Sequence, residues 1–215
     1  MKFREGTLDE YIWKTVPREY ETLPIEGKTV IDLGAHIGCF SRRAIDVGAS
    51  QVFAVEPDPE NFALLQLNVP EARSMQAAVV GASAPDHVTL YTSTTVNTGN
   101  HTIVTPHKSR HQVRGQIEVP AVRFADVLAW ADGAETSLKI DIEGGEYGFL
   151  DDLLDLPPNV TAVAIEIHLA RKLWMEDLAP RLIDVFRAGW TELRAPSVGG
   201  RHRHGYSATV GVWVR

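Results

Sequence analysis

The feature that most constrains this chain is a short apolar run that meets a glycine turn and passes straight into a helix, Val30-Ile31-Asp32-Leu33-Gly34-Ala35-His36-Ile37-Gly38. A second apolar run, Gln51-Val52-Phe53-Ala54-Val55, follows and ends in Glu56-Pro57-Asp58. A strand, a turn, a helix and a second strand tipped by an acid form a unit that binds a ribose-bearing cofactor. The dinucleotide fingerprint G-x-G-x-x-G would fall on Gly34, His36 and Cys39, and His36 obstructs the approach of a pyrophosphate. No G-x-x-x-x-G-K-S/T run is present, which disfavours a P-loop nucleotide. S-adenosylmethionine has a ribose and an adenine but no phosphate. It needs a tight turn, an acid for its ammonium group and a carboxylate for its ribose diol, and Gly34, Asp32 and Glu56 meet those needs.

Composition narrows the setting. A chain of 215 residues suits a single domain (residues 1–215) with a full core, and 44% hydrophobic with 23% charged residues is ordinary for a globular protein. No apolar run approaches the roughly 18 residues of a membrane span. Met1 to Gly6 lacks the apolar centre of a signal peptide. A single cysteine, Cys39, excludes an internal disulfide and a cysteine-cluster zinc site. These points predict a cytoplasmic enzyme with no membrane partner. The net charge of −7 argues against a nucleic-acid partner, and the one basic cluster, Arg201-His202-Arg203-His204, reads as a solvated loop. The oligomeric state is not fixed by the sequence.

Taken in order, Leu8, Tyr11 and Ile12 predict a short helix in a segment, residues 1–27, that precedes the core. Ile37, Phe40, Ala44 and Val47 form an apolar stripe that ends at Gly48. Asp58 and Pro59 read as the N-cap and first residue of the next helix, whose buried face is Phe62, Leu65 and Val69. A third strand is expected at about Met75 to Val80. Residues 87–91 and 116–122 read as two inserted strands joined by a long polar connection, interpreted as a substrate lid over residues 92–115 hinged near Gly99 and Gly115. A short helix is expected from Phe124 to Ala131, then a strand from Ser137 to Ile142. A helix over 145–156 is stopped by Pro157-Pro158, and a buried strand follows from Thr161 to Ile167. The last elements are a helix from about Pro180 to Gly189 and a closing hairpin of 190–193 with 208–214. This order predicts an α/β fold, doubly wound and mostly parallel, Rossmann-like, with an inserted strand pair and a final antiparallel strand.

Three motifs carry a resemblance. Asp32-Leu33-Gly34-Ala35-His36-Ile37-Gly38, Glu56-Pro57-Asp58-Pro59-Glu60-Asn61-Phe62 and Lys139-Ile140-Asp141-Ile142-Glu143-Gly144-Gly145-Glu146 together resemble the FkbM-type S-adenosylmethionine-dependent methyltransferases, over about residues 7–168. The resemblance implies the class I methyltransferase sheet and an N-terminal segment that covers the cofactor, with Thr7 and Asp9 near its methionine end. It also implies an Asn-x-Gly lid element, here Asn97 and Gly99. The fold class places the loop after the third strand near adenine, which nominates Gln76 and Ala77.

Ligands in open α/β sheets bind beyond the carboxyl ends of the strands. The expected cofactor contacts are Asp32, Gly34, Ala35, His36, Ile37, Gly38, Glu56, Pro57 and Asp141. Asp141 and Glu143 alternate on one strand end, and Glu166 and His168 on another, so each pair points the same way. These four are the catalytic candidates, with proton abstraction by His168 or Asp141 preferred, His101 in the lid ranked lower, and a Mg²⁺ ion held by the same four the less favoured route. In the alternative reading Glu143 caps the following helix while His168 and Glu166 pair. The expected reaction is methyl transfer to a hydroxyl of a sugar or polyketide-like small molecule. N-methylation of a peptide amide or amine is the second reading, and an NAD-dependent oxidoreductase the third.

Overall fold

In the computed structural model the described residues are 1–93, 96–105, 113–170, 175–187, 189–196 and 206–215. A seven-stranded sheet forms the centre, in the order β3-β2-β1-β7-β8-β10-β9. Its strands are β1 (Thr29–Leu33), β2 (Gln51–Val55), β3 (Arg73–Met75), β7 (Thr136–Ile140), β8 (Val160–Ala170), β9 (Thr191–Arg194) and β10 (Tyr206–Val214). β1 pairs in parallel with both β2 and β7, and β10 is antiparallel to β8 and β9. A smaller sheet of β4 (Ala78–Val80), β6 (Gly115–Arg123) and β5 (His87–Thr92) lies beside it, in that order.

Alternation along β1 shows how the layers are built. Ile31 and Leu33 face one side, in a cluster with Phe53, Leu138 and Phe149. Val30 faces the other, with Val52, Phe40 and Tyr20. A strand covered on both faces reads as continuous apolar sequence, which is what Val30 to Leu33 shows apart from Asp32. The helices are α1 (Asp9–Glu19), α2 (Cys39–Asp46), α3 (Pro59–Asn68), α4 (Phe124–Ala129), α5 (Leu150–Leu154) and α6 (Met175–Arg187). α3 starts as its sequence dictates: Asp58 accepts from the backbone N–H groups of Glu60 and Asn61, and Pro59 occupies the first turn.

Several boundaries differ from expectation. The predicted third strand is two strands in different sheets: Arg73–Met75 pairs with β2, the chain turns at Gln76-Ala77, and Ala78–Val80 pairs with β6. Residues 145–149 form a 3₁₀ turn before the short α5, so no continuous helix covers 145–156. α6 begins at Met175, five residues before Pro180, which lies inside it and forfeits one backbone bond of the early helix. Gly115 pairs with Thr92 as the first residue of β6, so it is a strand residue and not a hinge. The parts of the expected lid at residues 94–95 and 106–112 lie outside the described residues, as do the basic residues 201–204.

Candidate active site

The turn after β1 is defined by Gly34, at φ +78°. A Cβ here would lie 1.8 Å from the carbonyl oxygen of Asp141, so only glycine lets the two strand ends approach. Gly34→Ala combines a left-handed penalty of about 1–2 kcal/mol with overpacking of about 1–3 kcal/mol. We expect a loss of roughly 3 kcal/mol or more, read from the midpoint of chemical denaturation.

Beyond the carboxyl ends of β1, β2 and β7 opens a cavity of about 270 Å³. One end is formed by Gly34, Ala35, His36, Glu56, Pro57 and Asn61. Glu56 is 5% exposed, and its carboxylate is fixed from two sides. The backbone N–H of His36 donates to Oε2 and that of Asp58 to Oε1, both at 2.9 Å. Burial pushes its pKa up to about 7, against the pull of those two N–H groups. The other end carries Glu19, Asp141, Glu143 and Glu166. Ala77, Asn97, Gly99 and His101 also line the wall.

Two buried cations lie behind the acidic end. Lys139 Nζ is 3.1 Å from Asp32 and 3.4 Å from Asp141, and it donates to the Gly34 carbonyl at 2.9 Å. Burial alone would depress its pKa, but the two carboxylates hold the ammonium charged. Asp141 also accepts from the Tyr20 hydroxyl at 3.1 Å. Burial opposes its ionisation, but the charges of Lys139 and His168 outweigh that and keep its pKa low. Glu166 is pushed well above the usual carboxylate range by burial and by the Asp141 charge. The second cation is His168, 1% exposed, with Nε2 3.2 Å from Glu143 and Nδ1 3.1 Å from Glu146. Burial again disfavours its charge, but the two carboxylates raise its pKa well above the ordinary value.

These contacts correct several assignments. His168 does not line the cavity, and both its ring nitrogens face carboxylates, Glu143 and Glu146, an arrangement that favours a structural ion pair over a proton acceptor for substrate. Asp32 is fully buried between Lys139 and the Ser41 hydroxyl and does not line the cavity, so a cofactor ammonium in the cavity does not reach it directly. Gly38 faces α3, where a Cβ would meet Val69 at 2.5 Å, and Ile37 is enclosed in the core. Thr7 accepts from the Asp9 backbone, and Asp9 is consumed by Arg4 and Thr98; neither lines the cavity. Gln76 does not line it, whereas Ala77 does. Glu166 and His168 do not pair with each other; His168 pairs with Glu143 and Glu146. Glu146, Thr98, Tyr20 and Glu19 were missed. Glu146 stood within the quoted motif, three residues after Glu143, and that spacing was its signal.

Among the described residues, Asp141, Glu143 and His168 place ligand-type atoms within 4.8 Å of one another. The set does not fit Mg²⁺. That ion takes oxygen ligands, whereas His168 offers ring nitrogens, and both are already engaged by Glu143 and Glu146. The cofactor end does fit S-adenosylmethionine. Glu56 is a buried, pre-oriented carboxylate, and the buried amide oxygen of Asn61 on the same wall has no hydrogen-bond partner in the protein.

A sheet in which only β10 runs antiparallel, with a cavity at the strand ends after β1, β2 and β7, is the architecture of an S-adenosylmethionine-dependent methyltransferase. The sequence matches the Methyltransferase FkbM domain over residues 32–188, and the chain belongs to that family. No curated protein matches it significantly in sequence. Solved structures of similar fold include a Streptococcus thermophilus protein described as a candidate hemolysin, 14% identical, with a TM-score of 0.51 over 100% of this chain and 68% of that one. Others are precorrin-6y C5,15-methyltransferase from Geobacter metallireducens (8% identical, TM-score 0.48, 100% and 94% covered) and M. jannaschii TYW2 in complex with AdoMet (15%, 0.45, 100% and 78%). No helix among the described residues is long and apolar enough to cross a membrane.

Proposed function

We propose that the chain transfers the methyl group of S-adenosylmethionine to a hydroxyl of a small-molecule acceptor, a sugar or a polyketide-like natural product. The observation that carries this reading is the ionised Asp141 carboxylate on the acidic wall of the cavity, braced by Lys139 and Tyr20. A hydroxyl needs an acceptor for its proton, which Asp141 supplies. An amine facing the same wall would be held as an ammonium, without the lone pair that attacks. A peptide amide would need a stronger base than a carboxylate held at low pKa.

In this reading Glu56 accepts the ribose hydroxyls while Gly34, Ala35, His36, Pro57 and Ala77 shape the cofactor end. The bound cofactor supplies a methyl carbon already activated by its sulfonium. The protein aligns the acceptor oxygen with that carbon, a contribution of roughly 7–11 kcal/mol. As the new C–O bond forms the hydroxyl becomes strongly acidic, so a weakly basic carboxylate suffices. Burial and the Asp141 charge both disfavour ionisation of Glu166, which limits the negative charge that competes with Asp141. We further read the chain as one domain in which residues 1–27 cover the cofactor and the stretch after β5, with Asn97, Gly99 and His101, covers the acceptor.

The test supplies the protein with cofactor labelled with ¹³C in the methyl group and a panel of sugars, polyketide-like alcohols and peptides, with products read by NMR. A methoxy carbon is the expected product, and an N-methyl product alone would overturn the reading. Asp141→Asn should cut kcat by about 10²–10⁴ on any hydroxyl acceptor while leaving S-adenosylhomocysteine binding within a few-fold.

A further inference from the structure

Four side chains from three separated stretches meet above the glycine turn. Asp9 is fully buried and accepts from the backbone N–H and Nε of Arg4 at Oδ2, both at 2.9 Å. Its Oδ1 accepts from Arg4 Nη2 and from the Thr98 hydroxyl, again at 2.9 Å each. Thr98 Oγ1 in turn receives Arg4 Nη2 at 2.9 Å and lies 2.9 Å from His36 Nε2. The charge-assisted bonds from Arg4 hold the Asp9 pKa down at about 2 even though burial opposes ionisation, so this cluster stays ionised across the working range of an enzyme.

Both oxygens of Glu56 lead back to Thr98. His36 holds a left-handed backbone at φ +52°, a strained conformation for a non-glycine residue, and in that conformation its N–H reaches Glu56 Oε2. The side chain that secures His36 there bonds Thr98. On the other side, the Asn61 amide donates to the Thr98 carbonyl at 3.0 Å and lies 3.5 Å from Glu56 Oε1. Thr98 is 7% exposed, while Asn97, Gly99 and Asn100 around it line the cavity. The Leu8 N–H donates to the Val96 carbonyl at 2.9 Å, which joins the same two stretches a second time.

We propose that Thr98, fixed by the Arg4–Asp9 pair, is a positioning residue for the cofactor: it indexes the Glu56 carboxylate to the ribose diol and clasps the N-terminal segment to the loop over the cavity. Asp9 therefore acts on the cofactor through Thr98 and not by contact. This rests on the reading that Glu56 holds the ribose.

The test compares wild type with Thr98→Val, which keeps the side-chain shape without the hydroxyl, and Thr98→Ser, which keeps the hydroxyl. Binding of S-adenosylhomocysteine is measured by calorimetry, its release by stopped flow, and the preference for adenosine over 2′,3′-dideoxyadenosine by competition. Thr98→Val should weaken S-adenosylhomocysteine about tenfold, chiefly through faster release, and erase most of the preference for the diol. Thr98→Ser should stay within about threefold of wild type. Arg4→Lys keeps the charge but loses the fork geometry, and should repeat the Thr98→Val result if that variant proves unstable. A Thr98→Val protein with wild-type affinity and wild-type diol preference overturns the clasp, and so does an equal loss for adenosine and its dideoxy analogue, which would mark a merely structural effect. Failure of the wild type to bind S-adenosylhomocysteine at all is a different result, and it overturns the ribose reading together with the clasp.

Discussion

Glu56→Ala is expected to remove S-adenosylhomocysteine binding, with an affinity loss of at least about a hundredfold by calorimetry. A carboxylate that accepts two ribose hydroxyls makes two charge-assisted bonds, each worth roughly 1.5–3 kcal/mol. The sum corresponds to about 10²–10⁴ in affinity. Alanine also leaves the N–H groups of His36 and Asp58 without their acceptor, so the turn loses its anchor along with the ligand. The raised pKa of about 7 adds a signature that a structural glutamate would lack. Binding should weaken as pH falls below 7, by about thirtyfold at pH 5.5 relative to alkaline pH if only the carboxylate form binds. Stability without ligand should move the other way. The folded pKa lies above the ordinary value of 4.5, so between those two values the folded state holds a proton that the unfolded chain has released. The stability present below pH 4.5 is lost as pH rises through 7, by about 3 kcal/mol in full. Thermal melts of wild type and Glu56→Ala from pH 4.5 to 8 should converge as pH rises, and saturating S-adenosylhomocysteine should separate them again at pH 8. Parallel melting curves across that range would count against a buried, titrating Glu56.

What the sequence disclosed, and what it withheld, divides along the distance between interacting residues. The turn at Gly34, the acid at the tip of β2, the Asp58-Pro59 helix start and the antiparallel last strand are local or nearly local, and each can be read from a few adjacent residues. The division of residues 73–80 between two sheets is not local: it depends on β2 offering an edge to Arg73–Met75 and β6 offering one to Ala78–Val80. The same limit governed the charges. Alternation correctly places side chains on faces of a strand, but it does not say which acid a buried lysine on the next strand will neutralise. By sequence alone Asp32 therefore reads as a ligand, whereas in the fold Lys139, 107 positions away in β7, pairs with it. Thr98 stood in view inside Asn97-Thr98-Gly99, yet its partners Asp9 and Arg4 lie 89 and 94 residues away. His168 looked like a base because a histidine at a strand end usually is exposed to the cleft; only Glu146, folded back beneath it by the 3₁₀ turn, reveals otherwise.

That last point makes His168→Ala decisive between two roles. As the proton acceptor for methyl transfer, His168 would be dispensable for folding, and its loss would lower kcat by about 10²–10⁴ with the melting temperature unchanged. As the cation that joins Glu143 to Glu146, it is a pillar under the cavity wall, and its removal leaves the buried Glu146 and the cavity-lining Glu143 without their shared counter-charge. Breaking a buried ion pair from one side costs about 3–5 kcal/mol. For a chain of this length that lowers the melting temperature by on the order of 10 °C. The geometry predicts the second outcome. The pH dependence sharpens it, because the folded pKa of His168 is raised. Its stabilisation is therefore complete below the ordinary histidine value and is lost as pH rises toward the folded one. The gap in melting temperature between wild type and His168→Ala should be widest near pH 6 and narrow steadily on the alkaline side. A variant that melts with the wild type at pH 6 and yet turns over slowly would restore His168 as the base and remove Asp141 from that position.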